Sequence, residues 1–172
     1  VSAEPPAGTA AEAEEASAAE ETPPASPQRA PLPAWSKPGV WKAEKVGNAM
    51  VFVFEKPVFV SADFLSKEGL AAVRDLARRL KALDGAASVE VVGHTDDERI
   101  TNPNAKFPDN EALARARAQR VEEHFAALLG AKRGLALSAR AGRPDEAPYP
   151  NDSDLNRKRN RTASVVVVPA AP

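Results

Sequence analysis

The sequence predicts an α+β domain, with helices packed on a sheet in the order β-α-β-α-β-β, behind a long polar tether. Three observations carry that expectation. Short β-branched runs alternate with two long stretches of helical apolar spacing, an alternation that places helices against a sheet. A glycine follows each helical stretch, at Gly85 and Gly130. Composition also changes sharply near residue 40. Residues 1–30 hold ten alanines, six glutamates and five prolines, with Arg29 the only base.

The elements follow in chain order. Residues 1–40 read as a disordered or extended tether, because almost nothing larger than alanine is there to offset chain entropy. Ala10–Glu21 favours helix by propensity but is too short to hold one alone. Pro23, Pro24, Pro27, Pro31, Pro33 and Pro38 then impose extended or turn geometry. Forty such residues reach roughly 35 Å as a coil and about 120 Å if polyproline-like. Residues 41–169 read as the folded domain, and 170–172 as a tail. Met50–Phe54 (MVFVF) is the first strand. Ser66 caps a helix running to about Leu83, whose Leu70, Val73, Leu76, Ala77 and Leu80 share a face. Ser88–Val92 is the second strand, ending at Gly93, and a long loop with Pro103 and Pro108 follows. A second helix spans about Asn110–Leu129, with Leu113, Ala114, Ala118, Val121, Phe125 and Leu128 on one face. Leu135–Ala139 and Ala163–Val168 are the last two strands.

Several function classes are disfavoured at this level. Twenty-three basic residues against twenty-four acidic ones leave a formal charge of -1, which gives no global case for a nucleic-acid binder. With no cysteine, disulfides, thiolate metal sites and cysteine nucleophiles are absent. No run approaches 18 apolar residues. The sequence starts at Val1 rather than methionine and reads as processed or truncated, so membrane attachment would come only through a segment missing from it. No cofactor or metal is expected: His94, Asp96, Asp97 and Glu98 lie on an extended segment, where neighbouring side chains diverge. Catalysis is not expected either. Asp96 or His94 as a general base would lack a paired nucleophile and an oxyanion site, and His124 falls in mid-helix.

One constellation carries a function. The second strand ends Gly93-His94-Thr95-Asp96, the next helix opens Asn110-Glu111-Ala112-Leu113-Ala114-Arg115-Ala116-Arg117, and Asn156-Arg157-Lys158-Arg159-Asn160-Arg161 precedes the last strand. Together these resemble the OmpA C-terminal-like family of peptidoglycan-binding domains, over about residues 46–169. That resemblance implies a two-layer sandwich of a mixed sheet with helices on one face. The loop is longer than in simple outer-membrane members, with fourteen residues from Asp96 to Asn110. Its end, Lys106-Phe107-Pro108-Asp109-Asn110, and the later Pro150-Asn151-Asp152-Ser153 look most like the flagellar stator MotB and type VI secretion TssL branch.

The resemblance implies a chemistry. Diaminopimelate in the peptidoglycan stem presents an ammonium and a carboxylate on one carbon. The family's strand-end aspartate takes the ammonium and its helix arginine grips the carboxylate, roles that fall here to Asp96 and Arg117. A planar guanidinium suits a carboxylate because it forms two parallel charge-assisted bonds. Asn110 would position the loop, Leu113 would contact the stem, Arg161 would add positive field, and Thr95 would fix the loop through its hydroxyl. Free N–H groups at the helix start would also favour an anion. The plain alternative is an ordinary ion pair between Asp96 and Arg117. Four positions depart from the family pattern: Ala114 for serine, Thr162 for the second arginine, Ser164 for glutamate, and Val60 where an acid often follows the phenylalanine. The implied function is a non-catalytic anchor of an envelope protein or machine to the cell wall, in the periplasm and without nucleic acid. The stator branch further implies a homodimer, and a membrane portion missing from this sequence would decide between a stator, a secretion system and the outer membrane as host. The competing reading is a fold that lost its ligand and serves protein–protein interaction.

Overall fold

The computed structural model describes residues 35–82, 86–102, 105–130 and 135–169. Residues 1–34, most of the expected tether, and the expected tail at 170–172 lie outside the described residues, as does Gly85. The domain begins ahead of the boundary expected at residue 40. Trp35 and Val40 pack on the core, and the Lys37 ammonium meets Asp75 at 2.7 Å.

Four strands precede the first helix. β1 (Trp41–Val46) and β2 (Ala49–Phe54) form a hairpin, turned through Gly47 at φ 60°. β3 (Phe59–Ser61) and β4 (Phe64–Leu65) make a small separate hairpin. α1 (Lys67–Lys81) is capped by Ser66, whose hydroxyl accepts from the Gly69 N–H at 2.8 Å. β5 (Ala86–Gly93) leads into the long loop, and α2 spans Asn110–Leu129, closing at Gly130 with φ 59°. β6 (Ala136–Ala141), α3 (Asp154–Asn160) and β7 (Ala163–Pro169) complete the domain.

The main sheet runs β1-β2-β7-β5-β6; only β5 and β6 pair in parallel, so it is mixed, with the helices on one face. Alternate residues of each strand point to that face. Ala43, Phe52, Val165 and Val91 pair across the sheet in this way and join Val73, Leu76, Leu80, Val121 and Phe125 of the helices in one core. This is the expected α+β sandwich.

Three elements go beyond the expected order, namely β1, the β3–β4 hairpin and α3. β1 alternates, but only Trp41 and Ala43 point inward, against exposed Lys42 and Glu44. α3 has no apolar face, and its only large apolar side chain, Leu155, is 60% exposed.

The register also fixes what meets at one end of the sheet. Gly93 pairs with Ala163, Val53 with Ser164, and Phe54 with Trp41. The ends of β5 and β2 and the starts of β7 and β1 therefore lie together. α2 closes on this end because a Cβ on Gly93 would run into the Ala114 carbonyl oxygen. Glycine there lets helix backbone touch strand backbone.

Candidate ligand-binding cleft

Arg117 sits two helical turns beyond Asn110, on the face of α2 turned to this sheet end. It is 3% exposed. Its Nε donates to the Ala62 carbonyl at 2.7 Å and its Nη1 to the His94 carbonyl at 2.8 Å. The guanidinium lies 5.2 Å from the centre of the Phe59 ring. Ala62, at φ 39°, is the one non-glycine residue with positive φ among those described, so the arginine grips the tip of the β3–β4 turn. Burial lowers the Arg117 pKa to about 10, against the opposing pull of Asp96, and the group stays charged at neutral pH. Nη2 has no hydrogen-bond partner among the described residues and remains as a donor for the cleft.

Asp96 does not pair with Arg117. Its Oδ2 accepts from Arg161 Nε at 2.9 Å, and no ion pair within 4.0 Å joins it to Arg117 among the described residues. Arg161, expected to add positive field, is in direct contact with Asp96. Arg161 also reaches Glu98 at 3.9 Å, while Arg157, one turn earlier, meets Asp97 at 3.1 Å. Asn110 ties the loop to the helix start: its side-chain N–H groups donate to the carbonyls of Asp96 at 3.2 Å and Glu98 at 2.8 Å.

Asp96, Asn110, Leu113, Arg117 and Arg161 line one cleft of about 360 Å³, together with exposed Val60 and with Glu98, Arg99 and Ile100 from the loop. Five of the six expected residues therefore converge. Thr95 does not line this cleft, and its hydroxyl makes no hydrogen bond among the described residues. It lines a neighbouring cleft of about 640 Å³ that shares Asp96 and Asn110 with the first and adds Arg115, Arg140 and Arg143. The helix start is also less open than expected. Asp109 caps it, accepting from the Ala112 N–H at 2.7 Å, so part of the free N–H set is already used.

One altered side chain has a structural role: Ser164 Oγ lies 2.7 Å from His94 Nε2. At Thr162 it is the backbone carbonyl that accepts the His94 N–H, at 2.9 Å. Burial lowers the His94 pKa to about 4, which keeps the ring neutral. It is a hydrogen-bonded residue of the strand end.

One group supporting the cleft was not anticipated. Asp63, buried on the β3–β4 turn, accepts from Lys106 at 2.9 and 3.0 Å and faces Arg120 at 3.5 Å. Burial raises its pKa, but the Lys106 hydrogen bonds and the charges of Lys106 and Arg120 prevail and lower it. Lys106 thus pins the long loop to the turn that Arg117 holds. The signal lay in the sequence only as an acid after Ala62 and a lysine before Phe107, 43 residues apart.

The cleft sets acids (Asp96, Glu98) beside cations (Arg99, Arg117, Arg161), a lining suited to a group carrying both charges. No family model and no curated protein matches the chain. Among solved structures it is similar to the periplasmic domain of Helicobacter pylori MotB, at 22% identity and TM-score 0.63, over 76% of this chain and 80% of that one. It is also similar to the cell wall anchor of the type VI secretion system from Pseudomonas aeruginosa, at 26% identity and TM-score 0.59, over 76% and 88%. A MotB-like protein from Desulfovibrio vulgaris matches at 26% identity and TM-score 0.58, over 76% and 82%. In fold and topology, then, the chain carries an OmpA/MotB-like domain.

Proposed function

We propose that this domain is a non-catalytic module that anchors an envelope protein or machine to peptidoglycan from the periplasmic side, by binding the zwitterionic end of diaminopimelate. The observation that carries the reading is a buried, charged arginine with a free Nη2 in the same cleft as a half-buried aspartate. The ligand carboxylate would take Arg117 Nη2, and the ammonium would take Asp96 Oδ1, which Arg161 leaves open. The similarity to a cell wall anchor and to MotB periplasmic domains supports the wall as partner. One zwitterion contact is weak, but the wall repeats it many times.

Calorimetric titration of a diaminopimelate-containing stem peptide tests this. The expected result is saturable binding that Arg117→Ala and Asp96→Asn each reduce at least about tenfold, the loss of one charge-assisted bond. Absence of binding at millimolar peptide, with the domain folded, would favour the interaction-domain reading. That reading has one observation behind it: Arg161 already occupies one oxygen of Asp96.

A further inference from the structure

α3 presents arginines to two sides. Arg157 and Arg161, one turn apart, face the loop of the cleft described above. Arg159 faces away and lies 5.3 Å from the Tyr149 ring. There it lines a second cleft of about 260 Å³, with Lys42 of β1, Lys56 just after β2, Glu55, Gly39 and Tyr149. The sheet register brings this cleft to the same end of the domain as the first.

The floor of this cleft is rigidly held. Tyr149 donates its hydroxyl to the Phe54 carbonyl at 3.3 Å. Its backbone N–H and carbonyl are both held by the side chain of Asn160, which is fully buried, at 3.1 and 2.8 Å. Glu55, the one acid, is already engaged: its carboxylate accepts from the Gly39 N–H and lies 4.0 Å from Lys42. Lys56 and Arg159 have no ion-pair partner among the described residues. Three cations against one occupied carboxylate leave the cleft at a formal +2.

We propose that this cleft binds a phosphate group. A carboxylate would neutralise half of that charge, whereas a phosphate monoester carries about -1.5 to -2 at neutral pH and offers three acceptor oxygens. The guanidinium of Arg159, 5.3 Å from the centre of the Tyr149 ring, supplies the planar fork that oxyanions accept. The cleft exceeds a bare phosphate, which leaves room for part of the sugar or glycerol that bears it. This site is independent of Asp96 and Arg117, and its occupancy does not require that the first cleft bind diaminopimelate.

The test titrates the protein with inorganic phosphate, glucose 6-phosphate, glucose and acetate, followed by backbone NMR shifts. Sedimentation with phosphatidylglycerol vesicles and phosphatidylcholine vesicles forms a second arm. Both phosphate compounds should shift the amides around Gly39, Lys56 and Tyr149 saturably, and glucose and acetate should not. Lys56→Glu, at an exposed position that leaves the fold intact, should weaken phosphate binding at least tenfold; Arg159→Gln should do the same if it folds. Retention on phosphatidylglycerol vesicles that Lys56→Glu abolishes would identify a lipid headgroup as the source. Phosphate binding without vesicle retention would identify a soluble or wall-borne phosphate. Equal response to acetate, no response to phosphate, or a response that Lys56→Glu leaves unchanged would overturn the proposal.

Discussion

Arg117 is held by two carbonyls and a ring, and this geometry needs a guanidinium rather than merely a positive charge. A lysine could keep the charge but could not reach the Ala62 and His94 oxygens together while leaving a donor in the cleft. Arg117→Lys should therefore strand a buried carbonyl, at a cost of about 1–3 kcal/mol in urea unfolding. It should also lose stem-peptide binding as completely as Arg117→Ala. Retention of binding by the lysine variant would mean that charge alone serves the ligand. At this scale it was the resemblance that singled out Arg117, by matching it to the family's helix arginine. For Asp96 the plain ion-pair partner was expected to be Arg117, and the structure puts Arg161 there instead. Arg161 lies 65 residues away, and its direction depends on a short helix whose seven residues carry no apolar period.

The elements that position the cleft differ in how far sequence pattern reveals them. α1 and α2 announce themselves by apolar spacing and by caps at Ser66 and Gly130, since their stability comes from a buried stripe. The β3–β4 hairpin offers no such stripe. It is held by side chains reaching in from elsewhere, Arg117 on the Ala62 carbonyl and Lys106 on Asp63. Lys106 also lies near the rings of Phe64 and Phe107, at 5.4 and 5.0 Å, so one exposed lysine joins the loop to the hairpin. Lys106→Ala should speed hydrogen exchange in the loop and the hairpin, with α1 and β5 unchanged. Stability should fall by about 1–3 kcal/mol, because Asp63 loses both Lys106 hydrogen bonds and Arg120 stands farther off, at 3.5 Å. Uniform acceleration across the domain would show instead that the loop is ordered by the fold as a whole.

Across the whole molecule, the buried ionisable groups couple the cleft to pH with a definite sign. His94 has a folded pKa of about 4 against 6.5 unfolded, through burial first, with Glu146 opposing and Arg140 adding to the shift. The unfolded chain therefore binds the extra proton between those values, so stability rises with pH across that window and is lost on going from 6.5 towards 4. At 1.36 kcal/mol per pH unit, this amounts to on the order of 3 kcal/mol. Asp63 and Glu146 have lowered pKa values, the latter about 2 through its hydrogen bonds from Arg140 and the Arg143 N–H. Their contributions are present above the ordinary carboxylate range and are lost only below it. Acid unfolding should thus show two limbs, the first belonging chiefly to His94, with His124, also lowered by burial, adding to it in the same direction. Because the His94 carbonyl accepts Arg117 and its ring holds Ser164 at the start of β7, the first limb should also release the cleft. In urea titrations the wild-type midpoint should fall between pH 7 and pH 4.5. His94→Gln, which can keep a donor towards Ser164, should flatten that fall and leave the limb below pH 4 in place. A wild-type midpoint that stays level from pH 7 to pH 4.5 would mean that His94 accepts its proton without cost, and the strand end would not then be the acid-sensitive joint of the domain.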